Sequence, residues 1–427
     1  MPTGRLRVRR RPGYRPVYQA IRAIFGNDEA LPIFEVILQS SLLPTIAGGS
    51  ATPTFTRATV KQSWGYGPSA VLGVDDPVLL TCASGEAAFV GARRISEGVW
   101  SSVDANGVAL TTTNGASALY GDAYGPFGYF AEGAGTQLVT PTASIRDMTQ
   151  AEWVAGATMT VAKTGTGIDG VANSCSRLTG GAVGATNTAF QTLTAAASSR
   201  TYSVWLKRVT GTGTINITQD GGVGYTDVTS QINSTTFTRV SLTASVLNAS
   251  FGINIDTDGD VILADFNQFE AGAFATSPMA AAGAARNADV LTYPLAGNFN
   301  TSQGSAYAEV MSVTTTESVY LHDSANATYQ LATNPDNHAY DGTSNAISSG
   351  AGISAGVLSK IATSWGSAGM SCVWAGNAAG TSSFDGTMNM TSIGVGAGYI
   401  ASYSKTIRNL RLYSRALTDA QLQQITS

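Results

Sequence analysis

Apolar and polar residues alternate in short runs along most of this chain. Tyr202-Ser203-Val204-Trp205-Leu206-Lys207, Thr238-Arg239-Val240-Ser241-Leu242, Phe251-Gly252-Ile253-Asn254-Ile255 and Val261-Ile262-Leu263-Ala264-Asp265-Phe266 show a period of two or a continuous apolar stretch. Both are patterns of strands buried on one or both faces. Gly221-Gly222 and Asp258-Gly259 supply turn chemistry between them. Turn signals recur about every 8 to 15 residues from Ala51 onward, and no long amphipathic segment intervenes. The pattern predicts a mainly β protein built of tandem antiparallel β-sandwich domains. No exact short repeat is present, which argues against a solenoid or propeller.

A helical period appears in two places. Near the carboxy terminus, Thr418-Asp419-Ala420-Gln421 predicts a capping box, with Thr418 as N-cap and Gln421 at the third helical position. Leu417 and Leu422 then form a hydrophobic staple, and Leu422 and Ile425 share one face of a short helix after the strand Ile407 to Tyr413. Near the amino terminus, Val17, Ile21, Ile24 and Phe25 are helically spaced, and Leu31 to Leu43 is a second apolar stretch. Neither can bury a face alone. Each needs a partner, either another protein or the chain's own first domain.

The 427 residues allow two or three domains. A charged fraction of 12% is about half the roughly 25% usual for soluble domains. With 48 glycines, it favours strands and tight turns over one α/β enzyme domain. Cys82, Cys175 and Cys372 lie far apart without CxxC spacing, so neither a disulfide framework nor a cysteine zinc site is expected. The apolar stretch Leu31 to Ala47 is interrupted by Glu35, Gln39, Ser40, Ser41 and Pro44, against a membrane span. Arg22 and Asp28-Glu29 interrupt the apolar region a secretory signal would need.

Charge is unevenly placed. Arg5, Arg7, Arg9, Arg10, Arg11, Arg15 and Arg22 crowd the first 22 residues, which hold no acid, whereas the rest of the chain is net acidic. Such an arm suits an acidic protein surface, nucleic acid, or no partner at all, as a solvated tail. Nucleic acid is disfavoured because the basic charge is confined to one end and no nucleic-acid-binding motif accompanies it.

Ile407 to Thr426 (IRNLRLYSRALTDAQLQQIT) resembles the closing strand and helix of concanavalin A-like (laminin-G-like) jelly-roll domains of phage virion proteins. Tyr202 to Arg208 and Ile262 to Ser277 resemble landmarks of the carbohydrate-binding-module-like sandwich in phage fibres and tail proteins. Gln268, Glu270, Gly272, Thr276 and Ser277 match that module's closing pattern. Phe55 to Thr59 and Phe130 to Thr136 are similar to its leader segments, and Arg286-Asn287-Ala288-Asp289 to the link that follows it. The resemblance implies a virion-anchoring arm over 1–50, a β-rich leader over 51–133, a carbohydrate-binding-module-like sandwich over 134–285 and a jelly roll over 286–427. Arg5, Arg7, Arg9, Arg10, Arg11, Arg15, Ile21, Arg22 and Phe25 would carry the anchor.

Catalytic chemistry finds little footing. Glycoside hydrolysis needs two carboxylates on one face, and the one alternating acidic trio, Asp256, Asp258 and Asp260, straddles Gly259 in what reads as a hairpin tip. As a calcium loop it has its glycine misplaced and lacks the closing glutamate. His322 and His338 are the only histidines, too few for a histidine metal site, and both read as loop or surface residues. No catalytic residue, metal or cofactor is expected. Glycan binding needs an exposed aromatic plate beside hydrogen-bonding side chains. Trp205 and Trp365 lie in apolar runs and read as core, whereas Trp374 with Asn377, and Tyr340 with Asp341, sit near turns and are the candidates.

The expected protein is a phage tail fibre, spike or capsid-attached fibre, made in the host cytoplasm and carried on the virion. It docks on capsid, portal or tail proteins, assembles with copies of itself and presents its sandwiches to host-surface polysaccharide. The alternatives are a capsid decoration or cement protein, a glycan-degrading enzyme and a secreted bacterial lectin.

Overall fold

A computed structural model describes residues 34–37, 46–47, 49, 52–56, 61–66, 77–82, 88–91, 100–102, 126–140, 144–168, 170–184, 186–276, 278–279, 282–312, 318–323, 330–334, 336–347, 357–396 and 405–427. The amino-terminal arginines, the helical spacing of Val17 to Phe25 and Ser277 lie outside the described residues.

The chain is mainly β, in antiparallel sheets that form two sandwiches, with a short carboxy-terminal helix. The central sandwich packs two five-stranded sheets. One has the order Met159–Gly165, Cys175–Gly180, Val261–Ala271, Ser199–Thr210, Thr238–Ser245. The other has the order Val154–Ala155, Thr188–Thr192, Ser250–Ile255, Ile215–Thr218, Thr226–Asp227. Alternation along the second sheet turns Ile215, Ile217, Phe251, Ile253 and Ile255 inward, where all are fully buried. Phe251 stacks on Phe269 of the facing sheet at 4.1 Å between centroids and meets Trp153 edge-on at 5.7 Å. Each such ring pair adds about 0.5 to 1.5 kcal/mol beyond area burial. Trp205 is buried, as its apolar run predicts.

The second sandwich is assembled from distant parts of the chain. Val290–Pro294 pairs with Thr54–Thr56 on one edge, and Lys405–Tyr413 pairs with Pro126–Ala131 and with Phe34–Ile37. The apolar stretch Leu31 to Leu43 therefore finds a partner within this chain, at least over Phe34–Ile37. Trp365 anchors the core, stacked on Phe299 at 5.0 Å with its indole N–H donating to the Asn300 carbonyl at 3.0 Å.

The central sandwich is thus an insertion, leaving its host after Ala131 and returning before Val290. The two connecting strands pair with each other, Gly135–Thr136 against Ala285–Arg286. A buried polar network fills this neck. The Arg286 guanidinium donates to the Thr276 hydroxyl at 3.0 Å and the Gly133 carbonyl at 2.7 Å and lies 3.7 Å from the Glu132 carboxylate. Glu270 accepts from the Gln268 amide, the Thr276 backbone N–H and the Thr276 hydroxyl. The closing pattern singled out in the sequence therefore has a structural part to play, since Gln268, Glu270 and Thr276 fasten the last strand to the neck.

Two local expectations are corrected. Asp256 to Asp260 is not a hairpin tip, because Ser250–Ile255 and Val261–Ala271 belong to opposite sheets. The segment bridges the sandwich, and the Asp-Gly turn serves that crossing as readily as a hairpin. His322 and His338 are strand residues, and His322 is buried at 4% exposure, with its Nδ1 2.9 Å from the Asp323 carbonyl. The polar ring fits inside because Gly394 on the neighbouring strand leaves room where a Cβ would collide with it.

The helix Asp419–Thr426 begins with the predicted capping box. Gln421 N–H donates to the Thr418 hydroxyl at 3.4 Å, and Thr418 N–H donates to the Gln421 side chain at 3.0 Å. Leu417 and Leu422 are buried in one cluster with Tyr413, and Ile425 packs against it.

Candidate glycan-binding surface

The sequence candidates fall in the second sandwich, and most are engaged in holding loops. Trp374 ends the strand Gly369–Trp374, half-buried against the core, with a buried indole nitrogen that has no hydrogen-bond partner. Asn377 donates its N–H to the Trp374 carbonyl at 2.9 Å and accepts from the Gln423 side chain of the terminal helix at 3.0 Å. The Tyr340 hydroxyl donates to the Gly342 carbonyl at 2.8 Å. Asp341 is fully buried and accepts backbone N–H bonds from Thr343, Ser344 and Asp385 at 2.9, 2.6 and 3.0 Å. Its carboxylate organises the turn and has little left to offer a ligand.

The acidic trio is divided. Asp260 is buried and bound to the Arg208 guanidinium at 3.0 Å and the Gly213 N–H at 2.7 Å, whereas Asp258 is exposed and Asp256 half-buried. No group of three metal-ligating side chains occurs among the described residues. Cys175 and Cys372 are fully buried. No helix among the described residues is long and apolar enough to cross a membrane.

A different surface aligns partly exposed aromatic residues with carboxylates. It lies on the outward face of the second sheet of the central sandwich. Val154, Phe190, Gly252 and Thr218 are register partners across four adjacent strands, and Tyr225, beside the Thr226 that pairs with Ile217, continues the row. Phe190 is half-buried, while Val154 and Tyr225 are exposed at 67% and 37%. Phe190 and Tyr225 therefore stand about three strand spacings apart, roughly 14 Å. Gly252 lets the Phe190 ring lie against the strand beneath it. A Cβ there would strike the Ala189 carbonyl and come within 2.7 Å of the Phe190 ring.

Hydrogen-bonding groups line the row. Asn216 donates to the Asn254 side chain at 3.0 Å, and Asp227 is the register partner of Asn216 on the same outward face. Two loops adjoin the row. The Asn254 amide donates to the Asn187 carbonyl at 3.1 Å. Residues 219–225 curl over Thr218, whose hydroxyl lies 2.7 Å from both the Gly224 carbonyl and the Asp220 carboxylate. Within that loop Gly222 leaves the space that the Tyr225 hydroxyl occupies.

Burial pushes the Asp220 carboxyl up, but hydrogen bonds from the Gly224 N–H and the Thr218 hydroxyl outweigh it and hold it below the usual carboxylate range. Hydrogen bonds from Thr229 hold Asp227 low as well. Burial and the nearby Asp220 and Asp256 charges raise the Tyr225 hydroxyl, which stays protonated and able to donate. The surface thus offers two partly exposed aromatic rings beside the exposed Asp227 and half-buried Asp220 carboxylates, while Asn216, Asn254 and Thr218 lie buried beneath them and hold the floor and its loops in place. Rings and carboxylates of this kind can stack on sugar C–H faces and accept from hydroxyls. Phe190 and Tyr225 escape a reading of separate runs, because only strand register aligns them.

Neither family models nor curated proteins give a match to this sequence. Some solved structures share part of its architecture. Domain 4 of AbnA, a GH43 extracellular arabinanase from Geobacillus stearothermophilus solved with arabinotriose, is 18% identical, with 33% of this chain and 73% of that one covered and a TM-score of 0.28. The CBM22-1-CBM22-2 tandem domain of Xyn10C from Paenibacillus barcinonensis is 9% identical, with 67% and 99% covered and a TM-score of 0.25. At such scores these likenesses carry no argument about function.

Proposed function

We propose that this chain is a non-enzymatic bacteriophage structural protein that docks to the virion through its basic amino-terminal arm and displays β-sandwiches for attachment to host-surface glycan. The observation that carries the glycan reading is the alignment by strand register of two partly exposed rings, Phe190 and Tyr225, on one outward sheet face, with the exposed Asp227 beside them. Attachment by stacking and hydroxyl recognition needs no bond-breaking group. The engagement of Asp260 by Arg208 and Gly213 favours this over paired-carboxylate hydrolysis. The arm reading rests on the seven arginines without an acid in residues 1–22 and on the family resemblance. Weak single sites suit a virion protein, where several copies raise the overall affinity.

The test is retention of the full-length protein on immobilised host-surface polysaccharide, together with assay of released reducing ends. Binding without release, weakened by Phe190→Ala, is the expected result. Release of reducing ends would replace the reading with a hydrolase. Incorporation into particles is expected to fail when Arg9, Arg10 and Arg11 are changed to Glu, with the sandwiches still folded. Unchanged incorporation removes the anchor role.

A further inference from the structure

The two sheets of the central sandwich differ sharply in charge. Its described basic side chains, Arg177, Arg200, Lys207, Arg208 and Arg239 among them, belong to the first sheet or, like Arg146, are bound to it. The second sheet and the loops 181–187 and 219–225 contain no lysine or arginine, yet Asp220, Asp227 and Asp256 all belong to this side of the sandwich. Asp220 and Asp256 act together on the Tyr225 hydroxyl, so their fields converge where a sugar would stack. A polyanion brought to this face meets like charge with no cation to offset it.

Resting on the glycan reading above, we infer that the surface between Phe190 and Tyr225 takes an uncharged or amino-bearing glycan chain and rejects polysaccharides that carry uronate, sialate, sulfate or phosphate. Uncharged hydroxyls suit the carboxylates as hydrogen-bond donors, and a protonated amino sugar suits them further. The three strand spacings between the Phe190 and Tyr225 backbones, roughly 14 Å, fit a stretch of chain better than a single terminal sugar. The excluded ligands are the reason the face lacks arginine, the side chain that recognises carboxylate and phosphate best.

The experiment measures binding of the full-length protein to immobilised dextran, mannan and arabinan as uncharged probes, chitosan as the amino-bearing probe, and alginate, hyaluronate and teichoic acid as anionic probes. Binding is expected on at least one uncharged or amino-bearing probe and on no anionic one. For an uncharged probe it should change less than about twofold between low salt and about 1 M salt, where the screening length is roughly 3 Å. Phe190→Ala should weaken it about tenfold, and Phe190→Leu, which keeps an apolar cover over Gly252, should weaken it with thermal unfolding near that of the unaltered protein. Asp227→Asn combined with Asp256→Asn should admit an anionic probe that the unaltered protein rejects. An anionic probe that binds the unaltered protein and is lost in Phe190→Ala overturns the charge selectivity while keeping the glycan reading. Binding that Phe190→Ala leaves intact overturns the assignment to this face. Absence of binding to every probe removes the glycan reading itself.

Discussion

The Glu132 backbone N–H donates to the Asp289 carboxylate at 3.0 Å, while the Asp289 N–H donates to the Glu132 carbonyl at 2.9 Å. This reciprocal pair ties the outgoing and returning chains just where the central sandwich leaves its host. Both residues are almost fully buried. An inserted domain is joined to its host by only two connecting strands, and this pair adds two hydrogen bonds between them at the junction.

Removing the neck's central cation should therefore be costly. Arg286→Met leaves the buried Glu132 and Glu270 carboxylates short of a partner, which is expected to destabilise the protein by about 3 kcal/mol or more in chemical denaturation. Burial pushes the Glu270 carboxyl up toward its neutral form, against the Thr276 hydrogen bonds and the Arg239 and Arg286 charges that lower it. Glu270→Gln should accordingly cost less than Arg286→Met. Equal losses in the two variants would show that the cation has no special place in the neck.

The terminal capping box gives a second expectation. Thr418→Ala should lower stability by about 0.5 to 2 kcal/mol through loss of the N-cap. The measurement belongs on the full chain, because residues 286–427 alone lack the strands Thr54–Thr56, Pro126–Ala131 and Phe34–Ile37 that complete their sheets. Hydrogen exchange at Leu422 should quicken in the variant, and unchanged protection there would show that the cap contributes nothing.

These two cases mark what the sequence reveals and what it conceals. Thr418, Gln421, Leu417 and Leu422 lie within six residues, so local chemistry alone specifies their helix end. The strands of the central sandwich were equally legible, since alternation needs no knowledge of the partner. The pairing of Thr54–Thr56 with Val290–Thr292 was not, because an alternating run carries the same signal whichever distant strand it joins. Asp256 to Asp260 misled for a related reason, as its turn residues do not say whether the next strand stays in the same sheet. The aromatic row was hidden because Phe190 and Tyr225 meet only through two intervening strands.

Acid should act on the loop that carries Asp147. Burial raises its carboxyl, but bonds from Thr149 and Gln150 and the Lys163 charge lower it more, so it lies below the ordinary 3.8. A lowered folded-state pKa contributes stability that is present above the unfolded value and lost as pH falls through the folded one. Asp147→Asn should therefore be less stable than the unaltered protein at neutral pH, with the difference shrinking below about pH 4. A difference that stays constant into strong acid would show that the charge at Asp147 does not matter.

Gly252 tests whether the aromatic row works as a unit. Its missing side chain lets the Phe190 ring and the Ala189 carbonyl approach the strand, and a Cβ would collide with both. Gly252→Ala must move Phe190 or bend Ser250–Ile255, so it should weaken glycan binding about as much as Phe190→Ala does. It should also lower stability by about 1 to 3 kcal/mol, in the range for overpacked sites. Phe190→Leu separates the two effects, because it keeps an apolar side chain over Gly252 but removes the flat ring. Stability is then expected to stay near that of the unaltered protein while binding falls. If Phe190→Leu binds glycan as well as the unaltered protein does, the ring does not stack on sugar, and Phe190 only covers the strand beneath it.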